Sequence, residues 1–182
     1  MFAERGYHGA TTREIARRAE VSETLLFRYY GSKAGLFEHV VYEPFNRLMQ
    51  TFVAERPHST DPRADEHYVF SAVHELFEKN QALFTALLSA RGMEDEDGGP
   101  PPFTGLIPFF QDATREQMKQ YNDRGQVPGF DIGIGLRLTF GMMAASVLMR
   151  DWLFPEGAPP REQIIDIVET LVTRALAPPG NH

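Results

Sequence analysis

The sequence predicts an all-α protein with two domains: a short helix-turn-helix domain over residues 1–41 and a larger helical domain over 42–182. Three observations carry this. Hydroxyl caps at Thr11, Thr12, Ser22 and Ser32 and a glycine stop at Gly31 mark off short helices joined by a tight turn. From residue 65 to about Leu176 apolar residues recur at helical spacing. A length of 182 residues with 42% hydrophobic content is enough to bury a core.

The elements follow in order. Thr11 and Thr12 offer hydroxyls to the orphan N–H groups of a helix start, with Glu14 in the first turn. Ile15, Ala16 and Ala19 then share one face, while Arg13, Arg17 and Arg18 lie off it, facing solvent or phosphate. The chain must turn at Glu20 and Val21, because Ser22 caps a second helix running from Glu23 to about Tyr30. Gly31 can end that helix in a left-handed conformation, and Ser32 caps a third beginning at Lys33. Two helices joined by a turn of about three to four residues have the geometry that places a helix in a DNA groove. The third helix continues through Leu36, Phe37, Val40 and Val41 to about Glu55. Pro44 within it removes a bond to residue 40 and clashes with that carbonyl, so a kink is expected near Val40–Tyr42.

Taken together, Gly6-Tyr7, Thr11-Thr12, Ile15-Ala16, Val21-Ser22, Leu26-Phe27-Arg28-Tyr29-Tyr30 and Ser32-Lys33-Ala34-Gly35-Leu36 resemble the DNA-binding domain of the TetR family of transcriptional regulators. The resemblance covers about the first quarter of the chain. The expected groove contacts are Glu23, Thr24, Leu25 and Arg28, with Thr12, Arg13, Tyr29 and Lys33 on phosphates and Ser22 and the Phe27 ring completing the DNA-binding set. Three departures bear on operator preference. Phe27 stands where the family usually has Tyr, Glu20 where a Gly often relaxes the turn, and Leu25 where a small or hydroxylated residue is usual. The family also has a full first helix beneath the helix-turn-helix. Met1-Phe2-Ala3-Glu4-Arg5 corresponds to its end, so that helix is expected to be largely missing and the cover over Ile15, Leu26 and Tyr30 reduced.

Beyond this domain, PHSTDPR at 57–63 reads as a loop and 65–90 as one long helix with Val69, Val73, Leu76, Phe77, Leu83, Phe84, Leu87 and Leu88 on its buried side. GMEDEDGGPPP at 92–102 reads as a solvated loop, since its four consecutive acids lack the spacing of a calcium loop. Helical spacing resumes over 103–124 with Leu106, Phe109, Phe110, Ala113 and Met118, closed by RGQVPG, and an apolar helix follows over about 131–154. Its run at 132–149 approaches the length of a membrane span, but Arg137 and three glycines favour a buried or subunit-interface helix. Pro159 and Pro160 open a last helix to about Leu176, with one stripe at Ile164, Val168, Leu171 and Ala175 and another at Ile165, Val172 and Leu176. Two stripes exceed one subunit's need and predict a four-helix contact between the last two helices of two chains. The resemblance implies the same homodimer, whose two recognition helices would meet a palindromic double-stranded operator in major grooves about 34 Å apart.

The net charge of −7 divides unevenly: residues 1–41 hold six basic and five acidic side chains, leaving 12 basic and 20 acidic beyond. DNA affinity must then come from a few placed cations, chiefly Arg13, Arg17, Arg28 and Lys33. The absence of cysteine excludes disulfides and thiolate chemistry, and the start lacks the order of a signal peptide, which points to the cytoplasm. His67 and His74 are seven residues apart, and His74 and Glu78 are spaced to chelate, but no catalytic or metal motif accompanies them. The sequence therefore predicts no enzyme, no cofactor and no metal. Phe84, Leu88, Phe103, Phe109, Phe110, Phe140, Met142 and Met143 are spaced to line an apolar cavity, and the resemblance implies a small-molecule effector there. The expected function is a TetR-like repressor released by a small apolar or aromatic ligand. The alternative is a small-molecule-binding helical protein with a vestigial DNA-binding domain.

Overall fold

The computed structural model describes residues 1–54, 62–90 and 104–176. About 81% of the described residues are helical, and no strand occurs among them. The helices are α1 (Phe2–Gly9), α2 (Thr12–Arg18), α3 (Glu23–Tyr30), α4 (Lys33–Phe37), a π-helical turn (Glu38–Tyr42), α5 (Glu43–Ala54), α6 (Pro62–Lys79), α7 (Gln81–Ser89), α8 (Leu106–Asp123), α9 (Ile132–Leu148), α10 (Arg150–Leu153) and α11 (Arg161–Leu176). Phe103 and most of the two expected loops lie outside the described residues. Among the described residues no helix is long and apolar enough to cross a membrane.

The chain forms two compact units, one of Met1–Ala54 with Asn80–Leu106 and one of Glu55–Lys79 with Ile107–His182. In the first unit α2, α3 and α4 each start on the cap their sequence offers. Thr11 Oγ1 accepts from the Glu14 N–H at 3.3 Å, Ser22 Oγ from Leu25 at 3.1 Å and Ser32 Oγ from Gly35 at 3.0 Å, each such cap contributing about 1 kcal/mol. Gly31 takes a positive φ of 72° and ends α3. The core centres on the fully buried Phe37, met edge-on by Phe2 at 4.9 Å, Tyr7 at 5.2 Å and Tyr42 at 5.2 Å. Leu26 is buried in the same cluster, and Ile15 and Tyr30 are half-buried against it. α1 breaks at Gly6 (φ 71°, ψ 177°) and packs against α7.

The expected kink before Pro44 is a π turn. The Glu43 N–H donates to the Glu38 carbonyl, five residues back, immediately before the proline that can donate nothing. The wider turn eases the carbonyl that the proline ring would otherwise strike.

Two boundaries differ from expectation. The helix predicted over 65–90 is broken at Asn80 (φ −124°, ψ 26°) into α6 and α7. Asn is a poor interior helix residue, and the two halves bury their apolar residues in different units. With that division Leu88 leaves the buried side and is 59% exposed. The helix predicted over 131–154 stops at Leu148, where Met149 leaves helical geometry (φ −112°, ψ 23°) before α10. The buried stripe ends at Val147, so nothing holds residues 149–153 in register with it.

The second unit packs α6 against α9 and α11. Its core contains Phe70, Val73, Phe77, Met143, Ile165 and Val168. Asp131 caps α9 by accepting from the Ile134 N–H at 3.0 Å, and the buried Ser146 hydroxyl donates to the Met143 carbonyl at 2.8 Å.

Candidate nucleic-acid interface

α3 buries only Leu26 in the core. That single anchor turns Thr24, Leu25, Phe27, Arg28 and Tyr29 outward, and all five are exposed, Tyr29 by 73%. α2 is fixed by the buried Ala16, whose carbonyl accepts from the Val21 N–H at 3.0 Å and so closes the turn. Thr12 Oγ1 donates to Glu23 Oε1 at 2.5 Å, tying the start of α2 to the start of α3. Ser22 holds the α3 cap. These two polar residues therefore set the angle between the helices, whereas Arg28, Thr24 and Leu25 stand free on the outer face.

The charges sort themselves in the same way. Arg5 pairs with Glu14 at 2.6 Å and Arg18 with Glu4 at 3.0 Å, the bond from Arg18 holding the Glu4 carboxyl below its usual range. Both ion pairs join α1 to α2. Among the described residues Arg13 and Arg28 have no carboxylate partner, and both are exposed together with Arg17. Lys33 is held differently: its Nζ sits 4.5 Å from the Tyr7 ring centroid and the residue is half-buried. Sequence spacing alone does not reveal that contact, because α2 and α3 both lie between Tyr7 and Lys33.

The residues expected around an effector fall in both units. Phe84, buried against Phe45 at 5.1 Å, and the exposed Leu88 belong to the first. In the second, Phe140 is the centre of an aromatic group, 4.9 Å from Phe77, 5.6 Å from Phe109 and 5.3 Å from Phe110, with Met143 fully buried and Met142 38% exposed. The two histidines of α6 also part company. His74 is buried near Glu78 at 3.5 Å, burial pushing its pKa down, and His67 faces α11, its Nδ1 2.8 Å from Glu169 Oε2.

A capped pair of short helices with one anchored and one outward face, set in an all-helical chain, defines a helix-turn-helix protein. The profile of the bacterial regulatory proteins of the tetR family matches residues 1–40. The chain is 30% identical to the nucleoid occlusion factor SlmA of Pasteurella multocida over 97 residues, which is 53% of this chain and 48% of that protein. It thus spans about half the length of the curated relatives it matches. Two solved structures share its fold. One is the TetR family transcriptional regulator PfmR of Thermus thermophilus (TM-score 0.68, 19% identity, 97% of this chain and 94% of that one). The other is the transcriptional regulator FadR of Bacillus subtilis in complex with stearoyl-CoA (TM-score 0.71, 15% identity, 97% and 94%). The family match thus rests on residues 1–40, and the likeness beyond them is one of fold.

Proposed function

We propose that the chain is a cytoplasmic, homodimeric DNA-binding repressor released by a small apolar or aromatic ligand. The observation that carries this reading is the outer face of α3, where Thr24, Leu25 and Arg28 are exposed, as are Arg13 and Arg17 on α2, while only Leu26 is given to the core. Arg28 carries the fork that pairs with a guanine edge, Leu25 suits a thymine methyl, and Arg13 and Tyr29 meet phosphates. The effector reading is supported by the aromatic group at Phe109, Phe110 and Phe140 and by the stearoyl-CoA named with the Bacillus subtilis structure. Ligand binding then shifts the dimer toward a state that does not match the operator.

Selection of bound oligonucleotides from a random duplex pool tests the DNA reading. The expected outcome is an enriched inverted repeat, and Arg28→Ala should relax base choice at one position of each half-site, whereas Arg13→Ala should weaken all DNA about equally. An unenriched pool, or an Arg28→Ala variant that selects the same sequence, refutes the assignment.

A further inference from the structure

We propose that His67, Asp166 and Glu169 form a divalent transition-metal site that joins α6 to α11. One ligand atom from each of the three lies within 4.8 Å of the others, and the closest pair, His67 Nδ1 and Glu169 Oε2, is at 2.8 Å. A metal bound at about 2.1 Å by one imidazole nitrogen and two carboxylate oxygens holds those atoms roughly 3.4 Å apart. Side-chain rotation alone closes the difference.

The set is built on rigid positions. Asp166 and Glu169 are three residues apart on α11, so adjacent turns present both carboxylates on one side. Each follows a core residue, Ile165 at 2% exposure and Val168 at 7%, and Phe70, one turn from His67 on α6, is buried too. The packing of α6 against α11 thus fixes the backbone positions that carry the three ligands before any ion arrives.

The charge balance favours a cation. Two carboxylates meet a single imidazole, and among the described residues no lysine or arginine pairs with Asp166 or Glu169. A protonated His67 offsets one negative charge; a dication offsets both. One nitrogen and two carboxylate oxygens suit Zn²⁺ and its neighbours, and partial exposure leaves water to fill the remaining positions. With no cysteine in the chain, a softer competing thiolate site is absent.

The test is titration of the metal-stripped, untagged full chain with Zn²⁺ by calorimetry, and with Co²⁺ followed by its visible absorption. The expected result is one site per chain of micromolar or tighter affinity, weakened at least tenfold in both His67→Ala and Asp166→Asn, with Tm raised in the wild type alone on adding metal. Asp166 is exposed, so its isosteric amide preserves the fold; far-UV circular dichroism checks both variants. Binding weaker than about 100 μM, or a stoichiometric site that persists unchanged in both variants, overturns the proposal. DNA selection is a separate readout, so failure of the metal site leaves the DNA reading intact, and the reverse.

Discussion

Glu20 is the described non-glycine residue with a positive φ, 57°, in the turn between α2 and α3. An L side chain in that region costs about 1 kcal/mol, so Glu20→Gly should stabilise the chain by about that amount in thermal or urea denaturation. It also removes an anion beside the α3 cap, so DNA affinity should rise; unchanged Tm would show that the turn relaxes φ in solution. Gly35 has the opposite requirement, because a Cβ there would lie 2.1 Å from the Tyr30 carbonyl oxygen. Gly35→Ala must push α4 away from the end of α3 and should cost about 2–3 kcal/mol. His74 makes the acid response of the second unit predictable. It is 3% exposed, and burial and Arg161 lower its pKa while Glu78 opposes them; Arg150 also faces it. With the folded pKa below the unfolded value near 6.5, the unfolded chain binds the extra proton, so the stability of neutral His74 is complete above about pH 6.5 and is lost as pH falls below it. Tm measured from pH 7.5 to 5.5 should drop less in His74→Leu than in the wild type.

At the scale of elements, the π turn at Glu38–Tyr42 shows what a local sequence signal can specify. Pro44 lacks the N–H that would bond residue 40, and the ladder widens just before it. Pro44→Ala should restore regular α-helix through α4 and α5 and raise stability by about 1–2 kcal/mol in thermal denaturation. No change would mean that packing of the buried Val41 and Tyr42 sets the turn instead. The same local logic makes Thr11, Ser22, Gly31 and Ser32 legible in the sequence, since caps act within three or four residues. Asn80 is less legible, because the apolar periodicity runs on across it and only the division between units breaks the helix. Contacts between distant segments leave no trace at all. The α1–α7 packing and the His67–Glu169 pair, 102 residues apart, depend on which helices meet, and helical spacing says nothing about that. The residues expected around an effector are scattered for the same reason: Phe84 and Phe140 both read as apolar and helical, yet they belong to different units.

At the scale of the whole molecule, the second unit leaves apolar residues uncovered along its last helices. On α9, Ile134 is 58% exposed and Leu138 64%, one helical turn apart; on α11, Ile167 is 52% exposed and Leu171 54%, again one turn apart. On α9 this row lies opposite the buried Met143 and Val147, and on α11 it flanks the buried Ile165 and Val168, so each helix carries apolar residues beyond those it buries within the chain. In the proposed dimer a second copy would meet the same rows across a two-fold axis and cover them. The double substitution Leu138→Arg with Leu171→Arg places two cations in that face without touching either core. Light scattering should then report a monomer with unchanged helicity. Affinity for an inverted repeat should fall about 100-fold or more, because each half-site is then bound without help from the other. A variant that remains dimeric would place the interface elsewhere on the chain. A monomer that binds the inverted repeat as tightly as the wild type would separate DNA recognition from dimerisation altogether.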